Sequence, residues 1–141
     1  MKKVSLLIFF TLVLISCKNP LDSGHHPVSP GMGALSLSIA GIEGRTILPI
    51  EITLDDFKQY ELIFSEAGGK VQTENRTNAD LSDLVYLRTG TYELFVKAYL
   101  GEGKTRLAAE GRQAGIVIDE RETKEISITL QAIINGLGNF S

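Results

Sequence analysis

The sequence predicts an all-β protein whose body is a single antiparallel β-sandwich of about seven strands. Three observations lead there. After residue 32, apolar residues recur at every second position in run after run, the period of a half-buried strand. Glycines and charged pairs punctuate those runs about every 8–12 residues, the spacing of turns in a sandwich. No window of about twelve residues beyond the leader carries helical periodicity. The 141 residues allow one domain with a tail, and roughly 100 of them form the strand-rich part.

Ala34 to Ala40 alternates with Leu35, Leu37 and Ile39 on one face and makes the first strand. Gly41 and Gly44 bracket a loop. Ile50-Glu51-Ile52-Thr53-Leu54 reads as a short edge segment, closed by a turn at Asp55-Asp56. Phe57 to Ser65 follows, with Tyr60, Leu62 and Phe64 inward and Glu61, Ile63 and Ser65 on the other face. Gly68-Gly69 turns the chain into Lys70–Glu74, a polar strand suited to a sheet edge. Asn75 to Asp80 is a polar loop, and Leu81 to Leu84 is one helical turn or irregular chain. Val85-Tyr86-Leu87 starts a short strand. The stretch to Leu100 then places Tyr92, Leu94, Val96 and Ala98 on one face. Gly101 to Lys104 closes a hairpin, and Thr105 to Glu110 returns as a strand. Gly111 and Gly115 break that strand and leave Ile116-Val117-Ile118 as a brief apolar piece. After the charged turn Asp119–Thr123, Lys124 to Leu130 is the last strand, with Ile126, Ile128 and Leu130 inward. With one cysteine and no tryptophan, the core rests on Leu, Ile, Val, Tyr and Phe, which argues against an antibody-type domain.

The leader points to export. Met1-Lys2-Lys3 precedes an apolar run from Val4 to Ile15, broken only by Ser5 and Thr11. A short cationic start and an apolar core of this length make a secretory signal peptide. A bilayer span takes about 20 apolar residues, so a membrane-crossing reading fits less well. The run ends Leu14-Ile15-Ser16-Cys17, which resembles the bacterial lipobox. That resemblance implies a peptidase that recognises Leu14, Ile15 and Ser16 and cuts before Cys17, whose thiol carries a diacylglycerol. An ordinary signal peptide with an incidental cysteine is the alternative. Loss of Lys2 and Lys3 leaves 12 basic against 17 acidic side chains, a net charge of −5. The expected organisation is a signal peptide at 1–16, lipidated Cys17 and a flexible tether at 17–32, a sandwich at 33–132 and a tail at 133–141. The tether is rich in proline and glycine, and fifteen such residues reach at most ~50 Å.

The charge balance, 14 basic against 17 acidic residues, leaves no basic footprint for nucleic acid. His25 and His26 are the only histidines, and both sit in the tether, where no base can be held against a nucleophile. Asp55-Asp56, Asp119-Glu120 and Glu122 read as charged turns, because no calcium-loop pattern surrounds them. Asn75-Arg76-Thr77 fits a glycosylation sequon, which a bacterial lipoprotein leaves unmodified. The reading is therefore not an enzyme, with no catalytic residues, no cofactor and no metal. Phe95 and Tyr99 share the outward face of their strand with Glu93 and form a candidate contact surface, or a face covered by a neighbouring segment or domain.

The run Leu87-x-x-Gly90-x-Tyr92-x-Leu94-x-Val96-x-Ala98, with Ile126-x-Ile128-x-Leu130 later, resembles the Ig-like and prealbumin-like or carboxypeptidase-regulatory-like sandwiches of bacterial surface proteins. Gly44-Arg45-Thr46-Ile47-Leu48-Pro49 after an alternating strand resembles surface lipoproteins of the spirochaete type. These resemblances imply a membrane-anchored, structural or adhesive role at the outer membrane or cell surface, with another protein or an adjacent sandwich as partner. Fold alone does not assign it. A fimbrillin-like pilus subunit precursor is the alternative, in which a cut after Arg45 would remove the first strand. A ligand-binding lipoprotein stands behind both. Gly136-Leu137-Gly138-Asn139-Phe140-Ser141 echoes Gly31-Met32-Gly33-Ala34-Leu35-Ser36, as the start of a second copy or by chance.

Overall fold

The computed structural model describes residues 28–44 and 52–133. The leader, the tether up to residue 27, Arg45 and the last eight residues lie outside that range. Seven strands carry the described chain: β1 (Met32–Glu43), β2 (Gln59–Glu66), β3 (Val71–Arg76), β4 (Val85–Arg88), β5 (Gly90–Gly101), β6 (Thr105–Ile118) and β7 (Thr123–Ala132). They form one sheet in the order β3-β2-β5-β6-β7-β1-β4. The expected all-β, seven-strand architecture holds.

The sheet is mixed, because β1 and β7 run parallel through nine paired residues, from Ala34↔Thr123 to Glu43↔Gln131. All other pairings are antiparallel. Alternation fixes which face of a strand is buried but is blind to its direction. A parallel partner needs a long crossover, and here the whole domain between β1 and β7 serves as one. The sheet folds over between β6 and β7, which pair only at Ala109↔Ala132 and Glu110↔Gln131. The half made of β3, β2, β5 and β6 thereby faces the half made of β7, β1 and β4. Their inner faces share one core, with Leu35 and Leu37 from β1, Leu62 and Phe64 from β2, Leu94 and Val96 from β5, and Ile128 and Leu130 from β7. The inward sets expected for β2 and β5 are all buried.

Two glycines make the close packing possible. A Cβ on Gly111 would lie 2.9 Å from Leu130 Cδ2 and 3.1 Å from the Thr129 carbonyl, at the corner where β6 meets β7. A Cβ on Gly33 would run into the Asp119 carbonyl oxygen and the Ile118 side chain. Gly111 therefore does not end a strand. Nor does Gly115, whose φ of +71° sits in a bulge where β6 slips register against Tyr92 and Leu94. The expected break between Glu110 and Ile116 is corrected accordingly: β6 runs on through both glycines.

Other boundaries shift for local reasons. Of the expected edge segment Ile50–Leu54, the described part is not a strand. Thr53 instead caps a 3-10 turn at Leu54–Asp56, its N–H donating to Asp56 Oδ2 at 2.8 Å. Asn75 and Arg76 belong to β3, not to the loop after it. The loop itself is held by Thr77, whose hydroxyl donates to Asp80 Oδ1 at 2.6 Å. β1 continues past Gly41 to Glu43, with a register slip between Ile39 and Gly41.

The registers give the domain two poles. Met32 begins β1 beside Arg88 and Thr123 begins β7 beside Ala34, so the chain enters β1 at the pole of the β2–β3, β4–β5 and β6–β7 connections. Ala132 ends β7 at the far pole, with the β5–β6 turn and the loop from Thr77 to Leu84. At the near pole the Thr89 N–H donates to the Gly31 carbonyl at 3.0 Å, and the Arg121 N–H to the Met32 carbonyl at 2.9 Å.

Candidate contact surface

The outward face of β2, β5 and β6 carries both aromatic residues singled out from the sequence. Antiparallel register sets Ile63, Phe95 and Arg112 side by side in one row. The next row is Glu61, Lys97 and Glu110, and beyond it Gln59, Tyr99 and Leu107. Alternation along each strand sends these side chains away from the core.

Tyr99 and Phe95 differ in what they offer. Tyr99 is buried, and its hydroxyl donates to Glu61 Oε2 at 3.2 Å. Phe95 is half-buried, with Lys97 Nζ 5.8 Å from its ring centroid, inside cation–π range. Much of the expected aromatic surface is thus covered by the protein's own side chains.

Glu61 organises that cover. Lys104 Nζ, from the β5–β6 turn, donates to Glu61 Oε1 at 2.5 Å, and Lys97 Nζ lies 3.9 Å from Oε2. The Lys104 N–H donates to Gln59 Oε1 at 2.8 Å, which holds the turn against β2. The hydrogen bond from Lys104, then the one from Tyr99 and the nearby lysine charges, keep the Glu61 carboxyl below the usual glutamate range despite some desolvation. The partners of Glu61 were invisible in the sequence, because Lys104 is 43 residues away and reaches it only once the hairpin register is set.

Toward the tether pole the same face dips into an open depression of about 350 Å³, lined by Ser65, Glu66, Tyr92, Glu93, Arg112 and Gly115 among others. The β6 bulge creates it by drawing Ala114 and Gly115 away from their place opposite β5. Arg112 and Glu93 form an ion pair across its side. Burial raises the Tyr92 hydroxyl, so it stays a neutral donor at ordinary pH. The depression offers hydroxyls, the Glu66 carboxylate and one ion pair whose two charges are already engaged.

The acidic turns have backbone duties. Asp56 accepts from Thr53, and Glu120 Oε1 accepts from the Gly31 N–H at 3.1 Å. Among the described residues no three His, Cys, Asp or Glu side chains are grouped to hold a metal ion. Among them, too, no helix is long and apolar enough to cross a membrane. Leu14, Ile15, Ser16, Cys17, His25, His26 and Arg45 lie outside the described residues. Compared with family models, characterised proteins and solved structures, the chain matches none.

Proposed function

We propose that this chain is a non-catalytic lipoprotein that presents a β-sandwich at a bacterial cell envelope, in a structural, adhesive or protein-binding role. The observation that carries this reading is Leu14-Ile15-Ser16-Cys17 at the end of a cationic, apolar leader, with Cys17 the sole cysteine of the chain. A thioether-linked diacylglycerol and one further acyl chain would anchor firmly, since burial is worth about 0.8 kcal/mol per methylene. The position of Met32 at one pole supports the reading: a tether joining there leaves the far pole and the flanking faces open to a partner. The intact mass of the mature protein from its native membrane tests it. A product that starts at Cys17, carries acyl groups and leaves the membrane in a Cys17→Ser variant is expected. A soluble product with a free thiol would overturn the anchor.

A second reading is favoured by one feature, the place of β1 in the sheet. It lies between β7 and β4 and ends at Glu43, two residues before Arg45. A fimbrillin-like precursor cut after Arg45 would lose that strand and expose a groove for a donor strand. An Arg45→Ala variant that assembles as the parent does would remove this alternative.

A further inference from the structure

We propose that β1 and β7 form a shear clamp, so that the domain resists tension applied along its own chain. This goes beyond the anchoring reading, on which only the direction of the load in the cell depends. Among the described strands, β1 and β7 are the parallel pair. Tension carried by the tether acts on β1 at Met32, at one pole. Tension carried by the chain after Ala132 acts on β7 at the opposite pole. Because the two strands are parallel, these pulls slide one along the other and do not peel them apart.

Sliding loads the ladder all at once. Six residue pairs from Ala34↔Thr123 to Ile39↔Ile128 are continuous, and three more follow the register slip, up to Glu43↔Gln131. In a parallel ladder the hydrogen bonds are evenly spaced along the strand, so they share a shear load. Antiparallel pairs with β4 from Met32↔Arg88 to Leu35↔Val85 brace the loaded end of β1 on its other side. The Arg121 N–H to Met32 carbonyl bond and the Ala34 N–H to Glu122 carbonyl bond, at 2.9 and 2.8 Å, pin the same end to the β6–β7 turn. Leu35 and Leu37 on β1, and Ile128 and Leu130 on β7, are buried in the shared core, so sliding also drags apolar side chains out of register. Forced unfolding is governed by the rate over this barrier, not by equilibrium stability.

The test pulls the same fold in two directions. The full chain, made without lipid, is held by the Cys17 thiol and by a second thiol at Ser141→Cys or at Thr89→Cys. Thr89 directly follows β4, and its N–H bonds Gly31, so the second geometry opens the β1–β4 pairs one after another from the same pole. Circular dichroism first establishes that both variants keep the parent strand signal. The expected result in single-molecule pulling is a several-fold higher unfolding force through Ser141 than through Thr89. Equal forces in the two geometries would overturn the clamp. The chain carries no lipid in this experiment, so its outcome is independent of whether Cys17 is an anchor.

Discussion

Glu61 and Tyr60 are neighbours in sequence on opposite faces of β2, and they set opposite pH limits. The Glu61 carboxyl is held below its ordinary value of 4.5 by Lys104 and Tyr99. A depressed folded value means its contribution is present above the unfolded value and is lost as pH falls through the folded one. Glu61→Gln should therefore cost about 1 kcal/mol at neutral pH and flatten the acid side of the stability curve, as urea titrations at neutral pH and near pH 4 would reveal. Burial pushes the Tyr60 hydroxyl up to about 12. Here the contribution is complete below the unfolded value and is lost as pH rises toward the folded one. Tyr60→Phe should keep more of its melting temperature between neutral and strongly alkaline pH than the parent does. The glycines give a second contrast. Gly33→Ala forces a Cβ into Asp119 and Ile118, and overpacking of this kind costs about 1–3 kcal/mol. Gly41→Ala meets nothing within 4 Å and should leave the urea midpoint unchanged or slightly raised. Alternation along Phe57–Ser65 was enough to place Glu61 outward and Tyr60 inward. It was not enough to find Lys104, nor to separate Gly33 from Gly41, because both depend on which distant segment arrives at that point.

Among the described strands β3 ends the sheet, and its inward positions carry polar side chains opposite the apolar ones of β2. Opposite Phe64, Leu62 and Tyr60 of β2 stand Gln72, Glu74 and Arg76. Gln72 Nε2 donates to Glu74 Oε1 at 3.1 Å and, weakly, to the Tyr86 carbonyl of β4, the other edge, at 3.5 Å. Arg76 Nη2 lies 3.8 Å from Glu74 Oε2, and Nη1 donates to the Asp80 carbonyl at 3.4 Å. Inward charges of this kind discourage a second chain from adding to the edge, because its arrival would bury them. Glu74→Val with Arg76→Val should therefore yield concentration-dependent oligomers in sedimentation velocity. A double variant that stays monomeric over the parent's concentration range would show that the edge is guarded by something else. The polar character of Lys70–Glu74 made this edge legible from the sequence. The partners across the sheet were less so: β1 beside β7 could not be read from two stretches nearly ninety residues apart with the same period. Nor could the continuity of β6, where Gly111 and Gly115 look like breaks but serve as a contact point and a bulge.

The proposed lipid anchor would give this two-pole domain an orientation, and the length of the tether would decide how sharply. Strand β1 has 12 residues, so at about 3.3 Å per residue the poles stand roughly 40 Å apart. Fifteen residues of flexible chain have a root-mean-square reach of about 20 Å, less than the distance between the two poles. On the proposed anchor the domain would tilt on that leash, with the pole where β1 begins spending more time near the lipid than the far pole. The β2–β3 turn at Gly68 belongs to the first pole and the β5–β6 turn at Gly103 to the second. Neither position has a neighbour within 4 Å of an added Cβ. Gly68→Cys is free of backbone strain, whereas Gly103 has a φ of +67°, so its replacement strains a turn outside the core. A dye at Gly68→Cys should transfer energy to a headgroup acceptor more efficiently than a dye at Gly103→Cys, in lipidated protein on vesicles. Lengthening the tether with glycine and serine should shrink the difference, because a longer leash lets both poles sample the surface more evenly. Equal transfer from the two sites at the native tether length would overturn the expected orientation.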